Sequence, residues 1–429
     1  MQQILVIAKQ TLRESFRNKI FLIFVILSLI AICCSVFMPV VGDGSERIKI
    51  VESMCLRSIT FFGILAAILL SASSIPTDIE DKLLWTITTK PVSRTNLIFG
   101  KITGFIYIIG LLLLIMGSAS YALIRFTASK QDVQKGKGLM AREKFEPSNM
   151  QVTGKATKNI GDVYWIEGGE RGTSTWDFEG LTYKKRTEEF EIEVKLLVES
   201  KKRYTTKIPI NIKIINPYTG ESQTKSIKVS NNKPASLKLS TETLEGSEKL
   251  TLVISPKNPG DFIGMSSDSL NVFLGEKSFE YNFLKGLAVI ASQFILMIVI
   301  ATLGSTFLTL PVNILFCLFI FFCGNITDFM RDLSTVINTF EMHDHEHEIS
   351  AVVNKPNIIV FFLDYMLKKP LLALSYILPN FKNFNVGHYF VDSVNIPHKK
   401  VFASFGYAFL YALFCLPLSF VVFKRREFA

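Results

Sequence analysis

The chain has 429 residues, 49% of them hydrophobic, with a mean hydropathy of +0.33 and a formal net charge of +10. An ordinary soluble globular protein is excluded: its surface must be wetted, and here the apolar residues gather in long runs near both ends around a polar middle. The positive charge lies in that middle and beside the apolar runs, where anionic headgroups would meet it, so it points to a lipid bilayer and not to nucleic acid. All six cysteines lie in or beside apolar runs and none forms a CxxC pair, which excludes a disulfide scaffold in the polar middle.

Residues Gln2 to Lys19 predict an amphipathic helix. Leu5, Ala8, Leu12 and Phe16 recur at helical spacing, and Lys9, Arg13 and Arg17 form an i, i+4 line on another face. Such a helix is expected to lie on the inner membrane face, apolar side in lipid. The first span is expected at Ile20–Val41, long enough to cross a hydrocarbon core of about 30 Å at about 1.5 Å per residue. It is too long for a signal-peptide core, so it reads as retained. A second span is expected at Leu56–Ile75 and a third at Ile102–Ile124.

Between the second and third spans lies Ser73–Lys101, SSIPTDIEDKLLWTITTKPVSRTNLIFGK. Pro76 is suited to open a helix, with Asp78, Glu80 and Asp81 in its first turns, where the helix dipole favours acids. Leu83, Leu84 and Ile87 give an apolar side, and Lys90-Pro91 ends the helix, since a residue before proline avoids the helical region. A short helix outside the membrane is the lever that a partner pushing on the spans would need.

The polar middle, Thr127 to Tyr281, predicts an all-β, sandwich-like domain. Phe190, Ile192, Val194, Leu196 and Val198 alternate with polar neighbours; Ile208, Ile210, Ile212 and Ile214 do so again, as do Leu250, Leu252 and Ile254, and Leu270, Val272 and Leu274. Turn residues separate them at Asn216–Gly220, Asn231–Pro234 and Pro256–Gly260. The stretch Lys130–Gly161 is rich in lysine and glycine and is expected to be a loose linker. Trp165 and Trp176 read as core or edge residues, with a ligand platform as the alternative.

A fourth span is expected at Phe283–Leu308, a fifth at Val312–Phe329 and a sixth at Val401–Phe423. Residues 361–378 are apolar but interrupted by Asp364, Lys368, Lys369 and Pro370, and read as interfacial or re-entrant. Within Glu341–Glu348, EMHDHEHE, the residues His343, His345 and His347 are candidate metal ligands: imidazoles suit Zn²⁺, Cu²⁺ or Ni²⁺, and on a strand the three would share one face. The spans carry almost no charge, which argues against ion- or proton-coupled carriage and fits lipid-like, polymeric or large amphipathic cargo.

The fold class expected is therefore six transmembrane helices with an inserted β domain: residues 1–126, then 127–281, then 282–429, with 330–400 outside the membrane. Lys9, Arg13, Arg17 and Lys19, then Lys82, Lys90, Arg94 and Lys101, then Lys424, Arg425 and Arg426 all fall on one side when six spans are threaded. The positive-inside rule makes that side the cytoplasm of a plasma membrane and puts the β domain outside.

Lys90-Pro91-Val92-Ser93-Arg94 with Gly100-Lys101, Thr11-Leu12-Arg13-Glu14-Ser15-Phe16-Arg17, and Ser305–Val312 together resemble the type-2 ABC transporter permeases. The resemblance covers both membrane halves and leaves out the β domain. It implies a six-span subunit that works as a pair with a second permease subunit. It implies coupling to an ABC ATPase through the loop, with Asp78, Glu80, Asp81, Lys82, Trp85, Lys90 and Arg94 as the contact residues. No GxxxxGK[ST] motif occurs, so no cofactor is expected here; ATP would bind a separate chain, and this chain is expected not to be an enzyme. The alternative is a membrane-anchored binding or sensory protein with no ATPase partner.

Overall fold

The computed structural model describes residues 2–17, 19–38, 44–80, 93–130, 139–154, 156–160, 163–168, 172–181, 189–200, 207–240, 248–330, 370 and 372–425. The chain divides into two compact units. One comprises Met1–Gly138, Phe283–Asp392 and Ile396–Ala429; the other comprises Leu139–Asn282 with Ser393–Asn395.

The first unit is helical: α1 (Gln2–Arg17), α2 (Lys19–Cys34), α3 (Gly44–Glu80), α4 (Arg94–Lys130), α5 (Phe279–Ser305), α6 (Leu310–Asn325), the short α7 (Gly387–Val391) and α8 (His398–Arg425). Among the described residues, five helices are long and apolar enough to cross a membrane: Lys19–Phe37, Arg47–Ile79, Arg94–Ala128, Phe279–Ser305 and His398–Arg425. They coincide with five of the six expected runs. The expected run Val312–Phe329 is a shorter helix: α6 has 16 residues, or about 24 Å against a hydrocarbon core of about 30 Å. Of the 361–378 segment, 372–377 is helical, and most of the remainder lies outside the described residues.

Two expectations change in this unit. The second helix starts at Gly44, well before Leu56, because Ile48, Val51 and Cys55 are buried and hold the earlier turns against neighbours. Glu52 and Asp78, which flank the expected run Leu56–Ile75, and Arg57 at its edge therefore belong to one continuous helix. Pro76 lies inside that same helix and opens no new one. A proline has no N–H to give the carbonyl four residues back, here that of Ala72. The buried amide of Asn313 on α6 donates to the Ala72 carbonyl (3.3 Å) and also to the Ala301 carbonyl (3.0 Å). The acceptor that proline leaves open is thus filled from another helix, and α3 passes through.

The second unit is built from three antiparallel sheets. The first orders β1 (Met140–Phe145), β13 (Leu270–Ser278), β6 (Glu189–Lys195) and β10 (Pro234–Ser240). The next orders β2 (Asn149–Gly154), β5 (Gly172–Glu179), β11 (Lys249–Pro256), β8 (Lys207–Ile215) and β9 (Ser222–Ser230). The third orders β3 (Ala156–Ile160), β4 (Val163–Glu167), β12 (Asp261–Met265) and β7 (Leu197–Ser200). The alternating residues do what period two requires: Phe190, Ile192, Val194, Ile212, Ile214, Leu252, Ile254 and Val272 share one buried core. Register places Leu252 opposite both Trp176 and Ile214.

Two further corrections follow. The expected linker contains β1, β2 and β3, which pair with β13, β5 and β4. These strands are mostly polar; partner strands satisfy their backbone groups, and Phe145, Met150 and Val152 pack against the core. Phe190–Val198, one alternating run in sequence, is two strands in different sheets. The switch at Leu196 is held by the Asn231-Asn232 turn: Asn232 N–H donates to the Leu196 carbonyl (2.8 Å) and Asn231 Oδ1 accepts from Val198 N–H (3.0 Å).

Trp176 is fully buried and its indole N–H donates to Ser174 Oγ at 3.0 Å, so its role is core and not ligand platform. Trp165 is half-buried with its ring against Gly264. Trp176→Ala is expected to cost about 3–5 kcal/mol and to lower the melting temperature of this unit, read by near-ultraviolet circular dichroism; an unchanged melt would show that the core does not depend on this side chain.

Candidate functional site at the α1–α3–α4 junction

The segment expected to meet an ATPase is flanked by the end of α3 and the start of α4. Asp81, Lys82, Trp85 and Lys90 lie outside the described residues, and Glu80 is the last residue of α3. Described side chains begin again at Ser93. Ser93 caps α4: its Oγ accepts from Asn96 N–H at 3.2 Å, filling a backbone donor that a helix start leaves open.

Asp78 and Lys101 are brought together. Both are buried, at 7% and 4% exposure, and they form an ion pair between α3 and α4. The Lys101 ammonium also donates to Ser74 Oγ (2.7 Å) and to the Ser74 carbonyl (3.3 Å). A buried charge without such partners costs several kcal/mol, so this three-way satisfaction clamps the two helices where they approach the 81–92 segment. Asp78 was expected in the first turn of a separate helix; it sits in the last turns of α3 instead.

Arg94 turns elsewhere. Its guanidinium donates to the carbonyls of Phe423 (2.9 Å) and Lys424 (3.0 Å) at the end of α8 and lies 5.8 Å from the Phe423 ring centroid. A cation at the carboxyl end of a helix satisfies open carbonyls and complements the dipole. Arg94 thus ties α4 to α8.

α1 is held on α4. Gly100 and Gly104 leave room for it: a Cβ at Gly104 would stand 2.7 Å from Thr11 Cβ and 2.9 Å from the Ala8 carbonyl oxygen, and one at Gly100 would stand 2.6 Å from Ile7 Cβ. Small residues four apart let two backbones approach closely, the same geometry that pairs helices in lipid. The buried face of α1 is Ala8, Thr11 and Ser15, whereas Leu5 and Phe16 are exposed. The expected apolar stripe is therefore split, with Ala8 against protein, Leu5 exposed, and Phe16 exposed with its ring in edge contact with Phe21. Asn96 Nδ2 donates to Gln3 Oε1 (2.9 Å) and secures the outer end of the contact.

Gly104→Leu is expected to push α1 off α4 at a cost of about 1–3 kcal/mol and to raise amide hydrogen exchange across Gln2–Arg17. Exchange unchanged from the parent chain would count against this packing.

A cavity of about 430 Å³ opens in the junction, lined by Gln10, Glu14, Ser74, Thr77, Asp78 and Phe105 among others. It holds no nucleophile–base pair. Its two carboxylates are engaged, Glu14 by Gln10 Nε2 (2.9 Å) and Asp78 by Lys101. The arrangement ties α1, α3, α4 and α8 by directional polar contacts: Asn96 to Gln3, Lys101 to Asp78 and Ser74, and Arg94 to the carbonyls of Phe423 and Lys424.

Sequence reasoning placed Lys101 in a Gly-Lys motif and among the flanking cations, and missed its partners. The available signal was a lysine opening an apolar run, a position that needs a counter-charge. Asn313 and Ser74 carried no signal of their own. His343, His345 and His347 lie outside the described residues, and among the described residues no group of three or more metal-ligating side chains occurs.

No family model matches the sequence, and no curated protein matches it. Solved structures align over about a third of the chain. The Clostridium thermocellum N-terminal endo-1,4-beta-D-xylanase 10B, complexed with xylohexaose, aligns at 12% identity and a TM-score of 0.21, over 32% of this chain and 28% of that one. TmCBM61 in complex with beta-1,4-galactotriose aligns at 12% identity and a TM-score of 0.19, over 31% of this chain and 91% of that one. An arabinose-bound α-L-arabinofuranosidase, MgGH51, aligns at 11% identity and a TM-score of 0.20, over 35% of this chain and 30% of that one. Likenesses at these TM-scores bear on neither the fold nor the function of this chain.

Proposed function

We propose that the chain is the membrane subunit of a type-2 ABC transporter, driven by a separate ATPase that acts on the segment between α3 and α4. The observation that carries this reading is the buried Asp78–Lys101 pair. It binds together the two helices that flank the Lys90–Arg94 motif, so a push on that segment moves both at once. The docking of α1 on Gly100 and Gly104 extends the same body to the amino terminus.

In this reading α6 is the fifth of six crossings in chain order. It reaches across with its flanking turns, since Met330 N–H still donates to the Ile326 carbonyl at 3.0 Å beyond the helix end. Both termini and the 81–92 segment face the cytoplasm of the plasma membrane, and the β unit faces outward. The exposed apolar side chains of α2 and α8, such as Ile23, Ile26, Phe402 and Phe409, are covered by lipid and by a second permease subunit. The chain hydrolyses nothing, and ATP is bound by the partner. A transition metal on His343, His345 and His347 is a separate proposal, tested by calorimetric titration of the full chain against its triple His→Ala form.

The test uses the tagged full chain purified from its native membrane in mild detergent. An ATP-hydrolysing protein is expected to co-purify, and Trp85→Ala or Glu80→Arg is expected to reduce its recovery at least tenfold while leaving the melting temperature unchanged. Recovery of the chain without ATPase activity would favour the membrane-anchored binding protein. ATPase held equally by both variants would reject the 81–92 segment as the contact.

A further inference from the structure

A second cavity, of about 250 Å³, lies within the helical unit among α3, α5, α6 and the turn Phe381–Phe384 that precedes α7. Its lining differs from the junction described above. Both charged residues that line it are cations, Arg57 and Lys382. The carboxylate nearest in contact is Asp328, 3.3 Å from the Lys382 ammonium; it also accepts from Asn380 Nδ2 at 2.8 Å. Part of the Lys382 charge is thus engaged, and that of Arg57 dominates the opening.

Arg57 is exposed and runs beside Gly387: a Cβ at Gly387 would lie 3.9 Å from Arg57 Nε. Asn385, also in the lining, accepts through its Oδ1 from the Gly387 N–H at 3.0 Å. One wall is aromatic, with Phe321 and Phe381 in edge contact at 5.4 Å between ring centroids.

The deepest feature is Gln293 on α5. It is 3% exposed, it lines the cavity, and its Oε1 has no hydrogen-bond partner among the described residues. A buried acceptor left open costs about 1–3 kcal/mol, and each such group in a folded protein calls for an explanation. A donor arriving with a ligand supplies one.

The geometry points to a binding site for a hydroxylated phosphate ester on an apolar body. The phosphate oxygens meet Arg57 and Lys382, the ligand hydroxyl donates to Gln293, and the apolar part lies on the phenylalanine wall. Two cations on separate elements suit a group with several acceptor oxygens, and guanidinium is the better partner of phosphate. Basic pockets between apolar helices take lipid headgroups of this kind. The same chemistry occurs on a free glycerol phosphate, and the cavity volume suits a headgroup better than a whole lipid. The site does not depend on the transport reading.

The experiment titrates the full chain, in an uncharged maltoside detergent, with dihexanoyl phosphatidylglycerol, with dihexanoyl phosphatidylcholine and with sn-glycerol 3-phosphate, by calorimetry. Phosphatidylglycerol is expected to bind at least tenfold more tightly than phosphatidylcholine, which lacks the hydroxyl and the net charge. Arg57→Gln is expected to weaken phosphatidylglycerol binding about tenfold. Gln293→Leu is expected to weaken it about fivefold while leaving dihexanoyl phosphatidic acid, which has no headgroup hydroxyl, unchanged. Glycerol 3-phosphate binding as tightly as the lipid would identify a soluble ligand with the same chemistry. Equal affinity for the two phospholipids, or phosphatidylglycerol affinity unaltered in both variants, would overturn the proposal. Arg57 is exposed, so its variant tests the site even if Gln293→Leu perturbs packing.

Discussion

Lys101→Met is expected to be among the most damaging single substitutions in the helical unit, lowering its stability by about 3–5 kcal/mol. The reason is asymmetry. Lys101 and Asp78 are both largely buried and offset each other's desolvation, so removing the cation leaves a mostly desolvated carboxylate without its counter-charge. Exchanging both partners removes that penalty. The double variant Asp78→Asn/Lys101→Met is therefore expected to regain most of the loss, measured as the thermal unfolding midpoint of the full chain in detergent. Additive losses in the double variant would show that the two groups do not act as a pair. Under the proposed function the double variant separates stability from coupling: it folds, yet α3 and α4 are no longer clamped at the loaded end, so ATPase recovery stays near parent level while transport falls.

The second large effect is expected at Asn313. Asn313→Leu keeps the volume but withdraws the donor from the Ala72 carbonyl, which Pro76 cannot serve, at a cost of about 1–3 kcal/mol. Pro76→Ala restores a backbone N–H four residues on from Ala72. In the Pro76→Ala background the same Asn313→Leu change is expected to cost at least about 1 kcal/mol less. Identical costs in the two backgrounds would mean that Asn313 acts through the Ala301 carbonyl on α5 (3.0 Å) and not through the proline.

The long apolar helices were legible because run length and composition alone make them, whatever packs beside them. The strands β8, β11 and β13 were legible for a similar reason: one face must leave water, so Ile208–Ile214, Leu250–Ile254 and Leu270–Leu274 alternate. The turn at Asn216 was equally plain, since its Oδ1 accepts from Tyr218 N–H (2.9 Å) within the same few residues. Each of these signals is local.

Where the needed partner is distant, the sequence was silent or misleading. Met140–Phe145 and Asn149–Gly154 are mostly polar; only a few side chains such as Phe145, Met150 and Val152 reach the core, and β13 and β5 supply the backbone partners. Phe190–Val198 keeps its alternation across a change of sheet, because both sheets face one core and the inward period is preserved through Leu196. In the candidate site, the Lys90–Arg94 motif and the acidic stretch were readable as residue types, but their use was not. Arg94 reaches α8, and Asp78 reaches Lys101.

Local chemistry thus determined which segments leave water and which face of each strand does so, since those depend on a residue and its near neighbours. Long-range satisfaction of buried polar groups decided the rest. Pro76 reads as a helix start until Asn313, far along the chain, supplies the donor that lets α3 continue. Lys101 reads as a flanking cation until Asp78 and Ser74 bury it. A buried acceptor or charge must find a partner, and only the folded chain specifies which one.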